Sequence, residues 1–119
     1  MVTREKIPVN LTPREWQALQ TLLSRLQKSY GEQFQRAMLF GSKARGDADG
    51  DSDIDVLLFV KQETWQVRDE ISGIVADINL EYDLQIDIRV IGIARWEHLA
   101  EIQAGLYRNI TRDAIPLAV

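Results

Sequence analysis

The segment Asp53-Ile54-Asp55-Val56-Leu57-Leu58-Phe59-Val60 constrains this chain more than any other. It begins by alternating polar and apolar residues and finishes as an unbroken apolar run. That is the pattern of a strand entering a sheet from an exposed end and becoming buried on both faces. Residues two apart on a strand point from one face, so Asp53 and Asp55 share a side, where their oxygens can converge on a hard divalent ion of the magnesium type. Exposed carboxylates at the mouth of an apolar strand have no structural purpose unless that strand end forms a site.

Asp47, Asp49 and Asp51 extend the series to five carboxylates in nine residues. Such an array repels itself unless a cation or a basic partner sits nearby. A solvated acidic loop accounts for Asp47, Asp49 and Asp51 and leaves Asp53 and Asp55 unexplained. A calcium loop fails on inspection: with Asp47 in first position, Ser52 replaces the turn glycine and Leu58 the bidentate glutamate.

The rest of the chain supplies a frame for that strand. Leu11-Thr12-Pro13-Arg14-Glu15-Trp16 reads as a helix start, with Thr12 as N-cap, Pro13 in the first turn, Glu15 completing a capping box and Leu11 stapled to Trp16. Trp16, Leu19, Leu22, Leu23, Leu26 and Tyr30 recur at helical spacing as a core stripe, and Gly31 is placed to end the helix in the left-handed region. Ala37 to Phe40 predicts a short buried strand, and Gly41 to Gly46 a turn with one possible helical turn. Thr64 caps a second long helix with Val67, Ile71, Ile74, Val75 and Ile78 on one face. Leu84 to Ile91 alternates strictly, with Ile86, Ile88 and Val90 on one side and Gln85, Asp87 and Arg89 on the other. Trp96 to Ala114 predicts one or two short helices with a weak break at Gly105, ending before Pro116. This order indicates an α/β (α+β) domain with a small mixed sheet flanked by helices.

Length and composition narrow the function classes. At 119 residues and 45% hydrophobic content, the expectation is one domain over residues 1–119, without room for a separate substrate-binding domain. No cysteine is present, which removes disulfides, thiolate metal sites and a cysteine nucleophile. No apolar run approaches the roughly 20 residues of a membrane span and no apolar segment follows the N-terminus, so a cytoplasmic protein is expected. A net charge of -4 disfavours non-specific attraction to nucleic acid or anionic membrane, and no direct DNA binding is expected.

Gly41-Ser42 follows a strand and opens a turn, so its backbone N–H groups and the Ser42 hydroxyl can cradle phosphate oxygens; Lys43 and Arg45 add positive charge. Either basic residue reads equally well as ordinary surface. The combination is more specific than its parts: a strand, Gly41-Ser42, ten intervening residues, then Asp53-x-Asp55 leading into an apolar strand. It resembles the nucleotidyltransferase superfamily of DNA polymerase beta, and most closely its minimal nucleotidyltransferase (MNT) branch. The resemblance implies the polymerase beta-like fold and a third carboxylate on a later strand, a place held by Asp87. By the same resemblance Asp53, Asp55 and Asp87 are catalytic and hold two magnesium ions, while Gly41, Ser42, Lys43 and Arg45 bind the nucleotide. Lys43 stands where arginine is common, and Asp113-Ala114-Ile115 replaces a late Glu-Gly-aliphatic signature.

The branch also implies a biological setting: an antitoxin of a HEPN/MNT toxin–antitoxin module, transferring AMP from ATP to a tyrosine of a HEPN-domain ribonuclease. The alternatives are transfer to a small molecule or RNA, or a non-catalytic MNT protein that neutralises its partner by contact. His98, the single histidine, reads as a surface or packing residue, and Trp65, Trp96 and Tyr107 as lining a partner surface or, by default, buried.

Overall fold

The computed structural model describes residues 10–46 and 53–117. Helix α1 (Pro13–Tyr30) starts as its sequence dictates: the Thr12 hydroxyl accepts from the Glu15 N–H at 3.1 Å, and the Glu15 carboxylate accepts from the Thr12 N–H at 2.8 Å. A cap of this kind is worth about 1 kcal/mol. Leu11 and Trp16 are both buried beside it. The helix ends at Gly31, whose φ of 52° and ψ of -121° lie at positive φ but outside the left-handed helical well expected from the sequence. A single 3-10 turn over Gly31–Gln33 then feeds strand β1 (Phe34–Phe40).

β1 begins three residues earlier than its apolar run suggests. Phe34 is buried, and the Arg36 guanidinium lies 4.5 Å from the centre of the Phe59 ring, so a polar-looking stretch still has packing to gain. Helix α2 (Ser42–Arg45) follows, a single turn closed by Gly46 in the left-handed conformation. Strand β2 (Ile54–Val60) is buried along almost its whole length, as its composition requires. Helix α3 (Trp65–Tyr82) is capped by Thr64 and crosses back to strand β3 (Ile86–Gly92). Helices α4 (Ile93–Glu101) and α5 (Gly105–Asp113) follow, and strand β4 (Ile115–Leu117) closes the described chain.

β4 has no counterpart in the sequence reading, which stopped at Pro116. Pro116 sits opposite Met38 on an edge strand, a sheet position that tolerates a missing N–H.

The sheet order is β3-β2-β1-β4, with β1 antiparallel to both neighbours and β2 parallel to β3. The mixed sheet flanked by helices is thus the architecture anticipated. α1 and α3 cover one face, where Leu19, Leu22, Leu26, Ile71 and Ile78 pack on Ile54, Val56, Leu58 and Val60. On the other face Leu57, Phe59 and Ile91 pack with Trp96 and Ile110 of α4 and α5. Trp96 meets the Phe59 ring edge-on at 5.1 Å and Tyr107 at 5.0 Å. Burial of the Phe59 side chain alone contributes about 1.5–3 kcal/mol. Alternation places Asp55 and Asp87 on this second face, at the sheet end where β1 leaves and β2 and β3 enter.

Candidate active site

The site grows from the pairing of β2 with β3. Their parallel register sets Asp55 directly opposite Asp87. Partners in register on adjacent strands project from the same face about 4.8 Å apart at the backbone. Asp53, exposed just before the strand and two residues from Asp55, is close enough for its charge to act on Asp55. The strand period in the sequence groups Asp53 with Asp55 and Asp87 with Arg89; the strand pairing puts Asp87 next to Asp55.

Electrostatics report the crowding. Burial raises the Asp55 carboxyl above its ordinary value of 3.8, and the charges of Asp87 and Asp53 push it up further; Arg89 and Arg45 pull it down. A carboxylate held against two others is stabilised by any cation brought to it. Among the described residues, no three His, Cys, Asp or Glu side chains already form a cage for a metal ion. Magnesium is commonly held by one or two carboxylates together with waters and substrate phosphates. In the chemistry of their donors, Asp53, Asp55 and Asp87 offer the hard carboxylate oxygens that such an ion takes.

Gly41 belongs to the same constellation for a steric reason. Its φ is +74°, and a Cβ placed there would lie 2.2 Å from Oδ2 of Asp55. Any side chain would collide with the carboxylate, so the glycine is fixed both by its backbone and by Asp55. Phe40 is the register partner of Asp55 across β1 and β2, which brings the Gly41-Ser42 turn to the carboxylates. Ser42 is half-buried at the start of α2, where the first N–H groups of a helix have no internal acceptor.

The two basic residues of the turn part company. Arg45 is exposed and close enough to lower the Asp55 carboxyl pKa. Lys43, expected beside Arg45 on the nucleotide, instead points into the protein: it is 4% exposed, with Nζ 3.1 Å from the Glu15 carboxylate. Its charge is committed to the start of α1, because a buried ammonium requires an anion and Glu15 is the one supplied. Glu15 therefore has two duties, closing the capping box and neutralising Lys43; only the first is visible in the sequence. Arg89, noted in the sequence as sharing a face with Asp87, acts on Asp55 and is an addition to the site. Its signal was its position two residues beyond Asp87. Asp47, Asp49 and Asp51 lie outside the described residues. His98 is exposed on α4, as read from the sequence, while Trp65 is 68% exposed, against the default of burial.

The family model of the nucleotidyltransferase domain matches residues 19–115. A Methanocaldococcus jannaschii protein provisionally named a protein adenylyltransferase is 43% identical over 56 residues, 46% of this chain and 57% of its own length. The match thus spans little more than half of that relative. A solved structure described provisionally as a minimal nucleotidyltransferase superposes with a TM-score of 0.55 at 26% identity, over 82% of this chain and 87% of that one. Two further structures share the fold. One is a provisionally assigned nucleotidyltransferase from Sulfolobus solfataricus, with TM-score 0.55, 19% identity and 84% and 76% coverage. The other is a toxin–antitoxin structure with AMP-PNP, with TM-score 0.53, 18% identity and 82% and 71% coverage. The family match runs from within α1 to the first residue of β4 and takes in the glycine-serine turn and both aspartate-bearing strands, and so the chain belongs to the nucleotidyltransferase domain family.

Proposed function

We propose that this protein transfers a nucleoside monophosphate, AMP from ATP, onto a hydroxyl of a protein partner. The observation that carries the reading is the alignment of Asp55 with Asp87 on one face, with Gly41 pressed against Asp55. Asp53, Asp55 and Asp87 would hold two magnesium ions, which supply charge neutralisation at the triphosphate and lower the pKa of the attacking hydroxyl. The backbone of Gly41 and Ser42 and the Ser42 hydroxyl hold the terminal phosphates, and Arg45 offsets charge on them. Lys43 takes no part in that contact and instead fixes α2 to α1 through Glu15.

In the transfer itself the acceptor oxygen forms a bond to the α-phosphorus while the bond to the bridging oxygen breaks. Pyrophosphate leaves in line, and Asp87 accepts the hydroxyl proton. The turn holds the phosphates so that the leaving group is aligned before the acceptor arrives, which is where orientation contributes most.

Two relatives favour ATP and a protein acceptor: the M. jannaschii protein named for protein adenylylation, and the toxin–antitoxin structure holding AMP-PNP. Together with the MNT resemblance, they support a HEPN-domain ribonuclease toxin as the partner, modified on tyrosine and thereby silenced. The test is incubation with α-labelled ATP, magnesium and the protein that co-purifies with this chain. Label and added AMP mass on that partner support the reading; label on RNA or on a small molecule, or none anywhere, refutes it.

A further inference from the structure

β3 forms one edge of the sheet, and that edge is left open over a short defined stretch. The Ile54 N–H donates to the Gln85 carbonyl at 2.9 Å, and Ile54 is the register partner of Ile86. In a parallel ladder this directs the backbone groups of Asp87, Arg89 and Ile91 toward β2, and those of Ile86, Ile88 and Val90 outward. Two outward positions are closed by side chains. The Asn79 amide accepts from the Ile86 N–H at 2.8 Å and donates to the Ile86 carbonyl at 3.1 Å, standing where a further strand would pair. At the other end the Gly92 N–H donates to the Glu63 carboxylate at 2.8 Å. Between these closures the outward N–H and C=O groups of Ile88 and Val90 have no partner among the described residues.

Beside this stretch lies a cleft of about 300 Å³. Its apolar floor is Leu57, Ile91 and Trp96, with Leu106 43% exposed at the rim. Its charge is positive: Arg68, Arg89 and Arg95 all line it, on a chain whose net charge is -4. Arg68 and Arg95 share the single Glu63 carboxylate, at 3.2 and 2.9 Å, and Arg89 makes no ion pair among the described residues. Open edges are normally blunted or covered, and a strand edge beside an apolar, cationic cleft is matched by an extended peptide carrying an apolar and an acidic side chain two residues apart, and so on one face.

We propose that this edge docks an extended acidic segment of the acceptor protein. The segment adds to β3 through Ile88 and Val90, seats an apolar side chain on the cleft floor and sets a carboxylate against Arg89 or Arg95. Pairing must stop at Ile86, where Asn79 occupies the edge, so the segment lifts off beside Asp87. Arg89 is two residues from Asp87 on the same face, about 6–7 Å along the strand. A hydroxyl just beyond the docked stretch is thereby delivered to the carboxylates. That delivery rests on the transfer reading above, whereas the docking does not.

The test uses a synthetic peptide that repeats Val-Thr-Glu-Thr, so that valine and glutamate share a face, and ends in tyrosine, its counterpart with lysine for glutamate, and a single-stranded polyuridine, all without nucleotide. Titration calorimetry should show saturable binding of the acidic peptide alone, and hydrogen exchange should slow at the Ile88 and Val90 amides. Arg89→Glu, at an exposed position, should weaken the acidic peptide by about tenfold or more and improve binding of the lysine peptide. No saturable binding, equal binding of both peptides, protection elsewhere than Ile88 and Val90, or displacement by polyuridine overturns the proposal. If the peptide docks but takes no label from ATP and magnesium, the docking stands and the transfer reading fails. If the natural partner is labelled while exchange at Ile88 and Val90 is unchanged, the docking fails and the transfer reading stands.

Discussion

Asp55 and Asp87 are register partners on parallel strands, their carboxyl groups on one face, and the charge of Asp87 raises the pKa of Asp55. Nothing in the packing of the sheet calls for two acids side by side. The pairing costs stability in the free protein, and a cation with a nucleotide can recover that cost on binding.

That cost has a sign and a pH window. Because the folded Asp55 carboxyl binds its proton more tightly than the unfolded one, stability falls as pH rises from its ordinary value of 3.8 through the raised folded value, and the full penalty persists above it. Asp55→Asn should therefore be more stable than wild type at neutral pH without magnesium. The gap should close as the solution is acidified past the Asp55 titration. Urea midpoints between pH 3 and pH 8 would check it; an equal gap at every pH would contradict it.

Activity should move the other way. Asp53→Asn, Asp55→Asn and Asp87→Asn should each lower nucleotide transfer by about a hundredfold or more, with circular dichroism unchanged. Initial rates at saturating ATP would show this, and retained turnover in any one of them would remove that residue from the reaction.

Gly41 offers a test that separates backbone strain from the site. Gly41→Ala and Gly31→Ala both place a side chain at positive φ and should each cost about 1–2 kcal/mol of stability. Only at Gly41 does the new Cβ meet the Asp55 carboxylate, since nothing lies within 4 Å of the Cβ position at Gly31. Transfer should be lost in Gly41→Ala and kept in Gly31→Ala; equal activity in the two would contradict the close approach.

The Lys43–Glu15 pair is buried on both sides, so removing one partner strands the other. Lys43→Met should cost about 3–5 kcal/mol, and adding Glu15→Gln should restore most of it, because glutamine keeps the cap on Thr12 without the stranded charge. Chemical denaturation of the single and double variants would measure the recovery.

Much of this site was legible in the chain because it rests on strand periodicity. Alternation alone put Asp53 with Asp55, and Asp87 with Arg89 opposite Ile86 and Ile88. The apolar β2 and the caps Thr12 and Thr64 fixed the frame in the same local way. What stayed hidden depends on contacts between distant segments. Lys43 sits on a single helical turn too short to show a buried face, and its partner Glu15 lies 28 positions earlier in a capping box that already explained it. The steric role of Gly41 needs the Asp55 side chain beside it, and β4 needs the open edge of β1 before Pro116 can be read as strand.

The central claim is that Asp53, Asp55 and Asp87 act together on a magnesium–nucleotide complex held by the Gly41-Ser42 turn. Its most direct test is the affinity for a non-hydrolysable ATP analogue, measured by calorimetry with and without magnesium in wild type and in Asp87→Asn. Binding should tighten at least about tenfold with magnesium in wild type, and much less in the variant. Equal affinity with and without the metal in wild type would contradict the claim.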